Sequence, residues 1–92
     1  MPLLSDEEIG SRLSDRRGWE RQDDAIVRVF ETADFAGSVD LVNRVAPVAD
    51  EMNHHPDLSI SWNRVTVSLS THSQGGLTES DFALAERIDE LA

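Results

Sequence analysis

The chain contains no cysteine, and that absence removes disulfides, thiolate nucleophiles and cysteine-held zinc or iron–sulfur centres from its chemistry. It contains no lysine either: its eight basic residues are all arginine, which excludes catalysis through a lysine Schiff base. Positive charge as a whole is scarce. Eight bases against 18 acids give a formal net charge of −10, the opposite of the basic footprint that a phosphate backbone requires, so direct nucleic-acid binding is not expected. No apolar run has the length of a membrane span, and the start, Met1-Pro2-Leu3-Leu4-Ser5-Asp6-Glu7-Glu8, lacks the basic residues of a signal peptide. The expectation is a soluble, cytoplasmic protein with no membrane partner.

What is present fits one small domain, 1–92, near the size at which a single core only marginally holds a fold, so self-association is expected. Ser5-Asp6-Glu7-Glu8 is a capping-box pattern that opens a short helix with Ile9 and Leu13 on its apolar side, ending by Gly18. Trp19 to Gln22 and Ala25 to Thr32 read as a hairpin around Asp23-Asp24, the second strand being rich in β-branched residues. From Asp34 the period becomes helical. Phe35, Val39, Val42, Val45, Ala46, Ala49 and Met52 step along one predicted core face, with Pro47 expected to kink or distort the helix and Pro56 to end it before His55.

Leu58, Ile60 and Trp62 alternate with serines, and Val65, Val67 and Leu69 alternate with Thr66, Ser68 and Ser70, which predicts a second hairpin turning at Asn63-Arg64. Arg64 fits the second turn position poorly. Parity with Leu58 and Ile60 places Trp62 in the core, and Trp19 is read as core as well. Gln74-Gly75-Gly76 is a loop, and Thr78-Glu79-Ser80-Asp81 caps a last helix carrying Phe82, Ala85, Ile88 and Ala92. The order α-β-β-α-β-β-α, with one apolar face on each hairpin, predicts an α+β fold: a four-stranded antiparallel sheet with helices packed on one face.

All three histidines fall in one stretch: Asn53-His54-His55-Pro56-Asp57, and then His72. Histidine exchanges protons near neutral pH. With the turn near Asn63-Arg64, the start of one strand faces the end of its partner, so the histidines are predicted to share one pocket mouth. Asp50, four residues before His54, would share a helix face with it and could orient an imidazole. Such an array supplies a general acid for a leaving hydroxyl and a general base for a neighbouring N–H, without a cofactor. No His-x-x-x-His or other compact ligand motif marks a metal site. Read locally, the histidines could equally be surface residues, and Asp81 the N3 member of a helix cap.

Beyond these residues the pattern resembles the pterin-4a-carbinolamine dehydratases. The match is Asp50-x-x-x-His54-His55-Pro56 followed by Trp62, His72 and Asp81, and it extends through Gly18-Trp19, Asp34-Phe35, Arg44-Val45-Ala46, Asn63-Arg64-Val65, Ser70-Thr71-His72 and Gly76-Leu77-Thr78. Coverage runs from about Gly18 to the C-terminus, and Pro47 departs from the usual pattern. The resemblance implies a hydro-lyase that removes water from a 4a-hydroxytetrahydropterin to give the quinonoid dihydropterin, recycling the cofactor of aromatic amino acid hydroxylases. It implies His54, His55 and His72 as the catalytic set, with His54 and His72 the acid/base pair and His55 chiefly holding the pterin. Asp50, Asn53, Pro56, Ser70, Thr71 and Ser73 would line the substrate pocket together with the histidines, and Asp81 and Trp62 would support it. No metal or cofactor is implied. Homodimers or homotetramers are, and a non-catalytic pterin-binding or assembly module on the same scaffold is the alternative function.

Overall fold

The computed structural model describes residues 2–92; Met1, the first residue of the expected domain, lies outside the described residues. The first helix, α1 (Asp6–Ser14), starts from the Ser5/Glu8 capping box, in which each side chain accepts from the other residue's backbone N–H. Two strands, β1 (Glu20–Gln22) and β2 (Ala25–Glu31), form a hairpin around Asp23-Asp24, with Asp23 in the left-handed region at φ 54°. Asp34 caps the long helix α2 (Phe35–Met52), its side chain accepting from the Gly37 N–H at 2.8 Å. The second hairpin, β3 (Asp57–Ser61) and β4 (Arg64–Leu69), leads through a short 3-10 turn at His72–Gln74 to α3 (Glu79–Leu91).

The four strands make one antiparallel sheet in the order β1-β2-β4-β3, so the two hairpins meet where β2 pairs with β4. Alternation decides which face is covered: Ile26 and Phe30 of β2 and Val65, Val67 and Leu69 of β4 are buried, whereas Val29, on the opposite face, is exposed. The helices supply Ile9, Leu41, Val45, Leu84 and Ile88 to the same core. Each such fully buried aliphatic side chain contributes about 1.5–3 kcal/mol. The expected α+β architecture and element order are those observed.

Near the C-terminal end of α3, Asp89 gathers three donors. The Trp19 indole N–H reaches its oxygens at 3.0 and 3.1 Å, Arg28 at 2.9 Å and Arg16 at 3.3 Å. Arg28 also lies 4.5 Å over the Phe30 ring, against which Trp19 packs edge-on. This close approach requires glycine at position 18: its φ is +90°, and a Cβ there would stand 2.8 Å from the Arg28 side chain.

Three local expectations change. The buried stripe of α2 runs through Ser38, Leu41, Val45 and Ala49, with Val42, Val48 and Met52 beside it; Phe35 and Val39 are 54% and 37% exposed, and Ala46 is exposed. The stripe is rotated because Ser38 faces inward, its hydroxyl donating to the Trp62 carbonyl at 2.7 Å and bonding the Thr32 hydroxyl at 2.9 Å. A polar residue satisfied in this way can hold a core position.

The second hairpin turns at Trp62-Asn63 rather than Asn63-Arg64, since Ser61 pairs with Arg64. Trp62 is therefore no core residue: it lies one position past the strand, in the left-handed region at φ 50°, with its side chain 65% exposed. Arg64 starts a strand, which removes its misfit to a turn. Trp19, by contrast, is buried. The helix α2 continues through Pro47. Pro47 is on the exposed side, where water can serve the carbonyl that loses its helical partner.

Candidate active site

The end of α2 places the first histidine. Asn53 adopts φ 50°, ψ 42°, its N–H bonds the Asp50 carbonyl at 3.1 Å, and the next N–H, that of His54, reaches back to the Ala49 carbonyl at 3.1 Å. This pattern of paired reverse bonds closes the helix with a left-handed residue, a conformation asparagine accepts more readily than most. His54 thereby leaves the helix turned toward the start of α3, where its Nε2 lies 2.5 Å from Asp81 Oδ1.

Asp81 is completely buried. Its second oxygen accepts the Thr71 hydroxyl at 2.8 Å and the Thr78 backbone N–H at 2.9 Å. The two roles read locally for Asp81 coincide: it is the N3 member of the Thr78 capping box and also the partner of His54. Thr71, just beyond β4, is held by a bridge to Gly76, and its hydroxyl bonds that of Thr78 at 2.8 Å. No described buried side-chain polar atom is left without a partner, so the network is complete despite its burial.

The other two histidines are solvent-facing. His55 Nε2 lies 2.9 Å from Asp50 Oδ1, and His72 Nε2 lies 3.8 Å from Asp57 Oδ2, with all four side chains well exposed. Exposed pairs of this kind contribute little to stability. The spacing placed Asp50 on the face of His54; instead its carboxylate meets His55, because the left-handed Asn53 swings His54 off the helix face. The hairpin argument sets Asp57 opposite Ser68, near the end of β4, which brings the start of β3 beside the segment leading to His72.

The remaining candidates fall in different places. The Ser70 hydroxyl donates to the Asp24 carbonyl at 2.7 Å, tying β4 to the turn of the first hairpin. Asn53 and Ser73 are exposed and Pro56 is half-buried. Trp62 sits at the opposite end of the β3–β4 hairpin from Asp57; five residues of β3 at about 3.3 Å each separate the two ends by roughly 16 Å. Thr78 is both the cap of α3 and a member of the Asp81 network, and its place three residues before Asp81 is the sequence signal for it. Among the described residues no group of three or more His, Asp or Glu is arranged to hold a metal. A groove of about 390 Å³ between α1 and α3, lined by Arg12, Arg16, Glu79, Phe82 and their neighbours, shares no residue with the histidine cluster.

A histidine held by a buried carboxylate, with two further histidines on adjoining segments, is an arrangement suited to moving protons. Comparison with known proteins gives the family. Residues 2–91 match the family model described as pterin 4 alpha carbinolamine dehydratase. A protein from Thermomicrobium roseum, provisionally named a pterin-4-alpha-carbinolamine dehydratase, is 49% identical over 92 residues, covering 100% of this chain and 99% of its own. One from Nocardia farcinica with the same provisional name is 50% identical over 90 residues, covering 98% and 95%. A crystal structure of a transcriptional coactivator/pterin dehydratase from Brucella melitensis superposes with a TM-score of 0.94 at 33% identity, covering 99% of both chains. With its element order and these matches along nearly its whole length, the chain belongs to the pterin 4 alpha carbinolamine dehydratase family.

Proposed function

We propose that this protein is a hydro-lyase that converts a 4a-hydroxytetrahydropterin to the quinonoid dihydropterin by histidine acid/base catalysis, in recycling of the pterin cofactor of aromatic amino acid hydroxylases. The observation that carries this reading is the 2.5 Å contact of His54 with the fully buried Asp81. A carboxylate so placed orients an imidazole, as in hydrolase triads. In the reaction the N5 lone pair of the pterin forms the new C=N bond as the C4a–O bond breaks. An acid protonates the departing hydroxyl to water, and a base takes the N5 proton. His54 and His72 fill these two roles and His55, braced by Asp50, holds the ring. The chemistry needs no cofactor, and a turnover returns both histidines to their starting protonation states after one proton passes back through solvent.

The protein would act in the cytoplasm as a homodimer or homotetramer. The exposed Phe35, Val39 and Trp62 side chains are apolar surface of the kind that association covers. The test is direct: the purified protein is added to a hydroxylase that generates 4a-hydroxypterin in situ, and decay of the carbinolamine is followed. Acceleration over the spontaneous rate is expected, with His54→Ala and His72→Ala variants that stay folded losing most of it. Unaltered turnover in the double variant overturns the reading. Binding of tetrahydropterin without acceleration would favour a non-catalytic pterin-binding or assembly module.

A further inference from the structure

We propose that Thr71 and Thr78 are positioning residues: they hold Asp81 against His54, and Asp81 fixes that ring in the tautomer that carries its hydrogen on Nε2, leaving Nδ1 as the nitrogen that exchanges a proton with substrate. The inference rests on the reading of His54 as a proton carrier. Its basis is the direction of each hydrogen bond in the buried network. The Thr78 backbone N–H is a donor by necessity, and it points at Asp81 Oδ2. The Thr71 hydroxyl has one hydrogen, and it also goes to Oδ2. The 2.8 Å contact between the two threonine hydroxyls must then be donated by Thr78, whose oxygen in turn accepts from the Ser80 N–H at 3.3 Å.

Each step has only one consistent direction, from Thr78 to Thr71 to Asp81. With both donors on Oδ2, Oδ1 is left facing His54 Nε2 at 2.5 Å. A carboxylate only accepts, so Nε2 carries the hydrogen and the neutral ring has its lone pair at Nδ1. The cap of α3 thus serves as an orienting group for a histidine on another element. The hydrogens of both threonine hydroxyls are used within the network, and their effect passes through Asp81 to the ring.

The test reads the tautomer in the ligand-free protein, by nitrogen NMR of the His54 ring at a pH where it is neutral. The expected wild-type signature is a protonated Nε2 and a lone-pair Nδ1. In Asp81→Asn the Thr78 N–H and Thr71 hydroxyl should retain the amide oxygen and turn the NH2 group toward Nε2, so the hydrogen moves to Nδ1 and the signature inverts. Thr71→Val removes one of the donors that hold Asp81 but leaves its carboxylate an acceptor, so the Nε2–H signature should persist while kcat falls by up to about tenfold, the size of one hydrogen bond, with KM unchanged. Thr71→Ser should restore kcat. A wild-type Nδ1–H tautomer, a signature unmoved in Asp81→Asn, or full kcat in Thr71→Val overturns the inference. Because the spectrum needs neither substrate nor turnover, its failure is distinct from that of the dehydratase reading, which falls if His54→Ala keeps full rate.

Discussion

Two aspartates on the same helix, Asp81 and Asp89, each gather several donors from distant segments, yet they do different work. Asp89 binds the Trp19 indole and the guanidiniums of Arg16 and Arg28, partners whose donors stay in place at any physiological pH. Asp81 binds a threonine hydroxyl, a backbone N–H and the imidazole of His54. Only the imidazole has a second nitrogen free to gain or lose a proton. The first cluster staples the α1–β1 connection and β2 to α3; the second leaves one member able to change state. A carboxylate that gathers several donors is thus not a functional signal by itself, and the chemistry of its partners decides the matter.

The contrast breaks most readily at His54. Replacement by Gln keeps a donor for Asp81 and removes the titrating ring, so the dehydration rate should fall by about 10²–10⁴ with little change in Tm. A near-normal rate in the in situ carbinolamine assay would erase the distinction between the two aspartates.

Asp89→Ala should show the reverse. It leaves the Trp19 N–H and two half-buried guanidiniums without their acceptor, at a cost of about 2–3 kcal/mol. For a domain of this length that corresponds to a fall in Tm on the order of 10–20 °C. Rate per folded molecule should be unchanged, and thermal unfolding followed beside activity separates the two.

The smallest effect sharpens the comparison through the other capping box. Glu8 of α1 occupies the position that Asp81 occupies in α3, but it is fully exposed, and the Ser5 backbone N–H, followed by the Ser5 hydroxyl, holds its carboxyl below the usual value. A lowered value means the Ser5–Glu8 bonds stabilise α1 at pH values above the ordinary glutamate range and are lost as the pH falls through the lowered value. Protection of the α1 amides relative to intrinsic exchange should fall on acidification through that window, and Glu8→Gln, which cannot titrate, should abolish that fall. A protection in α1 that ignores pH in the wild type would remove the parallel.

The elements were legible because their causes are local. Ser5 and Glu8 close their box within one turn of α1, and alternation along β4 sends Val65, Val67 and Leu69 inward whatever the rest of the chain does. Expectations failed where a distant group intervened. The inward turn of Ser38 depends on the carbonyl of Trp62, and counting apolar steps along α2 could not reveal that. Trp62 kept the parity of Leu58 and Ile60, but parity holds only while the strand continues, and pairing of Ser61 with Arg64 ends it one residue earlier. For Asp50, spacing identified a carboxylate close to the histidines and not the one it would meet, since that turned on a single left-handed residue.

Composition, caps and periodicity were enough for the α+β class and the element order, since each follows from interactions spanning a few residues. The pairing of His54 with Asp81, 27 positions apart, and the closing of that pair by Thr71 and Thr78 required the assembled fold. A hydrogen bond needs its partners within about 3 Å and in a fixed direction, and only the packing of α3 against the ends of α2 and β4 brings these groups together.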